Sequence, residues 1–500
     1  MAGPLRGAVA ALGLVLAGWP LAAVGQTIIA PDVAAGRALG TNVDRMGTTF
    51  TIAGGTRAGG NLFHSFSQFD LAAGDTARWV RPDAPAIQNV INRVTGGQVS
   101  TISGTIDSTA LPNATFYFIN PAGIVFGPTA QVNVPAAAHF STAAELRFAN
   151  GDRFAVATPN GSTLSVAAPE AWGFLGGEGD IALRGVGEDF STDRQTLAFT
   201  AANLEVGDST VFARGLDVIG VGDGAANVRI GDPLATTGGG TVQLFNSQLN
   251  VIERTVGGRS LRVSGGVVAM ETTGLASNGN LLVHASERVE ADFSVFDVFS
   301  VTRESAGAIV IRAPEVLLAN TVINADAIED GAPGRVLIET GDLFFFRVQL
   351  QANAKDGVGA EPGLVMLKSR GDLRILTSSV LSNANGAADG GQISIEGRDV
   401  EITDSEVQSN TVFTPFRTAT GAAGSVTVKA DTLLLGVKGL ITSTTNTIGQ
   451  GGNVVIDVGE LRMETNAAIR ADALDEGNAG SVTLTAQSID MSDGSSITSR

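Results

Sequence analysis

Cysteine is absent from the 500 residues, which excludes disulfide scaffolds and every thiolate-held zinc or iron–sulfur site. Charge is sparse: 16% of residues are charged, and the only lysines are Lys355, Lys368, Lys429 and Lys438. Acids outnumber bases 50 to 32, a net charge of −18, so no nucleic-acid partner is expected, because phosphates need cations to neutralise them. Aromatics are 5%. Low charge beside a 44% apolar share argues against disorder. The three histidines, His64, His139 and His284, are too scattered to make a metal pair. A Gly-x-Ser-x-Gly elbow, a phosphate loop and a dinucleotide fingerprint are all missing, so no cofactor and no enzymatic activity are expected. Ala8–Ala17 is too short an apolar run to span a bilayer, which takes about 20 residues.

That short run has another use. Arg6 precedes it, Pro20 breaks it, and Ala23-Val24-Gly25 puts small residues before Gln26. Residues 1–25 therefore read as a signal peptide for Sec export, cleaved between Gly25 and Gln26. Exported chains are free to form disulfides, so the missing cysteine suits a chain that crosses a second membrane unfolded.

Glycine is plentiful, at 64 residues, and it is periodic. Gly279, Gly307, Gly334, Gly363, Gly391, Gly424, Gly452 and Gly480 each open a Gly-x-apolar-x-apolar stretch, at intervals of 28, 27, 29, 28, 33, 28 and 28 residues. The longest interval holds an insertion at 411–420. Each unit contains two more short apolar stretches, such as Leu343–Phe345 and Val348–Leu350, or Leu461–Met463 and Ala468–Arg470. Three short alternating strands per unit make a coil whose inward face is buried only by stacking on its neighbours. The expected fold is all-β: a right-handed parallel β-helix of about 17–19 coils, with an N-terminal cap and extra-helical hairpins. Glycine is expected to supply the positive φ of the corners, and small aliphatics to fill the narrow interior. Glu315, Asp342, Asp372, Asp399, Asp431 and Glu460 recur before the second strand. Asp342, Asp372, Asp399 and Asp431 form a weak candidate ladder for Ca²⁺, against the plainer reading as solvated turn residues.

The N-terminal part is less repetitive but richer in distinctive words. They include Asn61-Leu62-Phe63-His64-Ser65-Phe66, Asn89-Val90-Ile91-Asn92-Arg93-Val94 and Gly173-Phe174-Leu175-Gly176. The longest runs from Phe116 through Asn120-Pro121-Ala122-Gly123-Ile124 to Gly127. In order and spacing these words resemble the two-partner secretion domain of filamentous-haemagglutinin-like exoproteins. The family's Asn-Pro-Asn-Gly-Ile signature falls on Asn120–Ile124, with Ala122 in place of the second Asn. The upstream Asn-Pro-Asn-Leu motif is missing, and Arg81-Pro82-Asp83-Ala84 occupies its approximate place. The resemblance implies a secretion domain over 26–204 that engages an Omp85-type outer-membrane β-barrel with periplasmic binding domains. Repeats over 205–500 would follow it outside a Gram-negative cell, secreted or on the surface. The implied end use is adhesion to a receptor or carbohydrate the sequence does not name. The rival readings are a polysaccharide-degrading β-helix enzyme and the stalk of a contact-dependent toxin. The last coil lacks a polar cap, so further coils are expected beyond Arg500.

Local chemistry gives Asn120–Ile124 the form of a stiff turn. Pro121 holds Asn120 extended, Gly123 permits a reversal, and Asn120 can close an Asx turn. Structural support and direct recognition are equally open roles for it. Ile87, Val90, Ile91 and Val94 fit either a short amphipathic helix or a strand.

Overall fold

Alternation decides which side chains enter the coil, and slips in alternation decide where the coil bends. In Arg335–Phe346 the buried positions are Val336, Ile338 and Thr340, then Leu343 and Phe345. The phase slips at Gly341-Asp342. In Ala308–Ala319 the same slip falls at Pro314-Glu315, between Ala313 and Val316. Two of the three expected strands are thus one bent strand in these coils, with the third separate, as in Gln349–Gln351.

The computed structural model describes residues 25–82, 86–191, 195–231, 239–252, 260–299, 306–327, 332–354, 362–412 and 420–500. Within them, parallel pairings run from Asn61–Asp70 through fourteen successive steps to Val482–Thr485, joining fifteen rungs of one column. At about 4.8 Å per rung the column is about 70 Å long. This is a parallel β-helix, with fewer coils than the 17–19 expected. The missing coils are residues spent outside the helix. Ile28–Pro31 pairs antiparallel with Asn61–Asp70, and Thr41–Met46 with Thr49–Gly54, forming the cap. Glu145–Phe148, Arg153–Ala155, Pro169–Phe174 and Ala226–Arg229 form an antiparallel sheet lying against the outside of the coils. Most of the 411–420 insertion, residues 413–419, lies outside the described residues.

The segment open to a helix is the strand Asn89–Val94. Its helix-like spacing has a different cause. Val90 and Val94 fill the coil core, while Ile91 faces outward under the antiparallel sheet, so apolar residues occupy both faces. The interior also differs from expectation near the N-terminus, where rings stack through the coils. Phe69 lies 4.9 Å from Phe118, Trp79 4.8 Å from Phe116, and Phe140 5.7 Å from Phe199, centroid to centroid. Such contacts add about 0.5–1.5 kcal/mol each beyond burial. Aliphatics take over in the later coils.

The coil-opening glycines are needed for a reason other than φ, because none of the eight has a positive φ. A Cβ on Gly307 would fall 1.8 Å from the Gly279 carbonyl oxygen, on Gly452 1.8 Å from that of Gly424, and on Gly480 1.7 Å from that of Gly452. At six of the eight, Gly307, Gly334, Gly391, Gly424, Gly452 and Gly480, the backbone rests directly on the coil-opening glycine before it, whereas a Cβ on Gly363 would meet Ala352 O at 2.1 Å. Positive φ is found at other glycines, such as Gly185 and Gly386, and at non-glycine corner residues: Asp208, Asn246, Thr272, Phe293, Asn320, Arg347, Thr377, Asp404, Lys438, Asn466 and Asp493. A left-handed conformation costs such residues about 1–2 kcal/mol. A buried hydroxyl in the next position compensates at many of these corners. Ser209, Ser247, Ser294, Ser378 and Ser405 each donate to the carbonyl two residues back, at 2.7–2.9 Å.

Charges also stack in register on the outer face. His284, Arg312, Glu339, Lys368, Glu396, Lys429 and Asp457 occupy one column on successive rungs. From Arg312 onward the sign alternates, and Arg312–Glu339 and Lys368–Glu396 close ion pairs at 2.6 and 3.0 Å. Each exposed pair is worth about 0.2–1 kcal/mol.

Candidate functional site

The turn at Asn120 joins Thr115–Ile119, in the first strand column, to Ile124–Phe126 in the second. Asn120 is fully buried. Its Nδ2 donates to the Gln98 carbonyl at 2.8 Å and to Ser100 Oγ at 2.9 Å. Its Oδ1 accepts from the Ala122 amide at 3.0 Å, closing the Asx turn. The backbone amides of Asn120 and Gly123 donate to Ser141 O and Asn120 O at 3.0 and 3.1 Å. Gly123 has φ +125°, a region that favours glycine, and a Cβ there would meet Asp180 O at 3.2 Å. Pro121 and Ala122 are half-buried.

A second sequence word meets this turn from below. Pro169–Phe174 leaves the antiparallel sheet, and the buried carboxylate of Glu178 accepts from the Leu175 and Gly176 amides at 2.6 and 2.9 Å. The loop so fixed brings Gly179 N to Pro121 O at 2.7 Å and Asp180 O to Ile124 N at 3.0 Å. A Cβ on Gly179 would strike Ala122 O at 2.4 Å. Residues nearly sixty positions apart therefore build one turn. Gly25 and Gln26 are exposed at the start of the described chain, and residues 1–24 lie outside it. Of the upstream Arg81–Ala84 stretch, Asp83 and Ala84 lie outside the described residues.

Sequence reading passed over Arg93, although a lone cation in an apolar strand was the available signal. Arg93 is fully buried. Its Nε donates to Ser65 Oγ at 2.8 Å, Nη1 to Ala155 O and Ser162 Oγ at 2.8 and 2.7 Å, and Nη2 to Arg37 O at 3.2 Å. Its guanidinium carbon lies 4.6 Å from the Phe154 ring centroid. Ser65 and Thr95 donate in turn to Asp32, at 2.5 and 2.8 Å. One side chain thus pins the cap, the first coils and the antiparallel sheet together. Burial lowers its pKa to about 10, partly offset by Asp32.

His64 is buried beside Thr41, with Nδ1 3.3 Å from the hydroxyl. Burial lowers its pKa from 6.5 to about 4. The unfolded chain takes up this proton below pH 6.5, whereas the folded chain resists until about pH 4. Stability present above pH 6.5 is therefore lost as the pH falls toward 4. At about 1.4 kcal/mol per pKa unit, the stability of wild type relative to His64→Gln should fall by about 2–3 kcal/mol between pH 7 and 4.5. Urea unfolding at both pH values measures this; parallel profiles for the two proteins would contradict it.

The acid ladder is reshuffled by the register. Asp372 sits on Asp399, but Asp399 sits on Thr432, which in turn sits on Glu460. Asp431 is displaced because its amide and that of Thr432 both donate to Arg398 O. Arg398 bridges Asp372 and Asp399 at 2.6 and 2.9 Å, and its hydrogen bond lowers the Asp399 pKa. Asp342 Oδ1 accepts from the Asp372 amide at 2.9 Å. Arginines and amides thus already compensate this column. Among the described residues, no three His, Asp or Glu groups cluster closely enough to hold one metal ion.

Residues 31–218 match the family model of the TPS secretion domain. A search of curated proteins returned no match. Among solved structures, the chain is similar to the crystal structure of the HMW1 secretion domain from Haemophilus influenzae. The identity is 14% and the TM-score 0.31, over 94% of this chain and 97% of that one. The fold is a parallel β-helix opened by a capped, sheet-buttressed secretion domain. The family match identifies residues 31–218 as a domain of the kind used in two-partner secretion, so the chain carries a two-partner secretion domain. Such a domain implies export across the outer membrane of a Gram-negative bacterium through a dedicated transporter partner.

Proposed function

We propose that this exoprotein is an adhesin, displayed on or released from the cell surface. Sec export would end with cleavage between Gly25 and Gln26. The N-terminal domain would then engage the periplasmic domains of an Omp85-type β-barrel. One observation carries this reading: the rungs of the secretion domain continue without a break into the later coils, from Asn61–Asp70 to Val482–Thr485. A solenoid stabilised by nearest-neighbour contacts can grow coil by coil from its first folded rungs. The test is to produce the chain with and without its transporter in a Gram-negative host, and to score surface antigen and attachment separately. Surface antigen without any gain in attachment would sink the adhesin role and leave the secretion route standing.

In this reading Asn120–Ile124 serves secretion by fixing a turn, with the Asn120 side chain turned inward. Asn120→Ala leaves Gln98 O, Ser100 Oγ and the Ala122 amide short of a partner, at a cost of about 1–3 kcal/mol. The unfolding midpoint and the secreted yield should fall together. Secretion lost at an unchanged midpoint would show instead that the asparagine is read directly.

A further inference from the structure

We propose that the bend shared by four successive coils is a binding cleft for a sugar chain bearing carboxylates. The cleft has a volume of about 520 Å³ and is lined by His284, Arg312, Pro314, Glu339, Lys368 and Arg370, among others, a size in the range of small-ligand sites. It lies where Leu281–Asp292, Ala308–Ala319 and Arg335–Phe346 turn from the first strand column to the second, and it ends at Leu364–Ser369.

The charge of the cleft opposes that of the molecule. Arg312, Lys368 and Arg370 bring three cations to one place on a protein of net charge −18, against one lining carboxylate, Glu339. Glu339 is already bonded to Arg312 at 2.6 Å, and Lys368 pairs with Glu396 on the next rung at 3.0 Å. Arg370 is exposed and, among the described residues, has no ion-pair partner. Its planar guanidinium suits bidentate capture of a carboxylate. Ala285, Ala313, Pro314 and Gly341 supply an apolar floor, on which the C–H face of a sugar ring can lie while its hydroxyls stay in water. Cationic walls over an apolar floor fit an acidic sugar better than a bare inorganic anion.

The biological use of this cleft rests on the adhesin reading, but its chemistry does not. Calorimetric titration of the purified mature chain at low salt, with trigalacturonate as the probe, tests it. Saturable binding that weakens with added salt is expected, and the methyl ester should bind at least tenfold more weakly. Arg370→Glu should lower affinity at least tenfold with an unchanged melting temperature. Lys438→Glu, at a distant corner, should leave affinity unchanged. Four outcomes would overturn the proposal: no saturable binding, equal binding of the ester, equal binding of a triglutamate peptide, or equal loss in the two variants. A negative titration leaves the adhesin reading standing. Sugar binding by a chain that confers no attachment would fail that reading alone.

Discussion

One added methyl group at Gly424 should break the solenoid into two. The new Cβ would lie 1.9 Å from Gly391 O and 2.2 Å from Ser409 Oγ. Neither neighbour can retreat without loss, because Gly391 O already accepts from Ser409 Oγ at 2.6 Å and from the Ser425 amide at 3.1 Å. Overpacking of this kind costs about 3 kcal/mol, and in a linear array the penalty falls on a single interface. Gly424→Ala should therefore lower the denaturant midpoint, and limited proteolysis should cut near residue 424 while sparing the N-terminal coils. Gly187→Ala, where nothing lies within 4 Å of the new Cβ, should behave as wild type. A Gly424→Ala protein as stable as wild type would refute the account of the glycine column.

Arg93→Met should have an effect at least as large, at the other end of the molecule. The substitution keeps much of the apolar stem but removes every donor that joins Ser65, Ala155, Ser162 and Arg37. Asp32 would remain buried with only hydroxyl partners. Removing one member of such a buried charged network costs about 3–5 kcal/mol. The cap and the antiparallel sheet should melt before the later coils, and the secreted yield should collapse. Arg93→Lys should recover little, since one ammonium cannot reach three directions at once. Wild-type melting of Arg93→Met would remove Arg93 from the account of the domain.

The solenoid was legible because its determinants are local and repeated. Gly-x-apolar-x-apolar at intervals near 28 residues marks both the coil length and the inward face. The reason for each glycine was not legible, because close approach between coils depends on a residue some 28 positions away. The corner conformations were hidden for the same reason: Phe293 and Arg347 are poor local candidates for positive φ, and the neighbouring coils impose it. Val90, Ile91 and Val94 could be placed on a helix or a strand until the antiparallel sheet was seen to cover the outer face. At the secretion turn, the Asx closure follows from Asn120-Pro121 alone. The support from Glu178 and Gly179 required the three-dimensional structure, as did the four-way role of Arg93.

The left-handed corners have a further consequence. All but Asn320 are exposed, and they carry six residue types on one backbone geometry. They form a comb whose teeth are interchangeable while its spine is fixed, with a spacing of about 4.8 Å between adjacent coils. Substitution along this ridge alters what the outside world meets without disturbing the interior. An exposed protein built this way can vary its face and keep its skeleton.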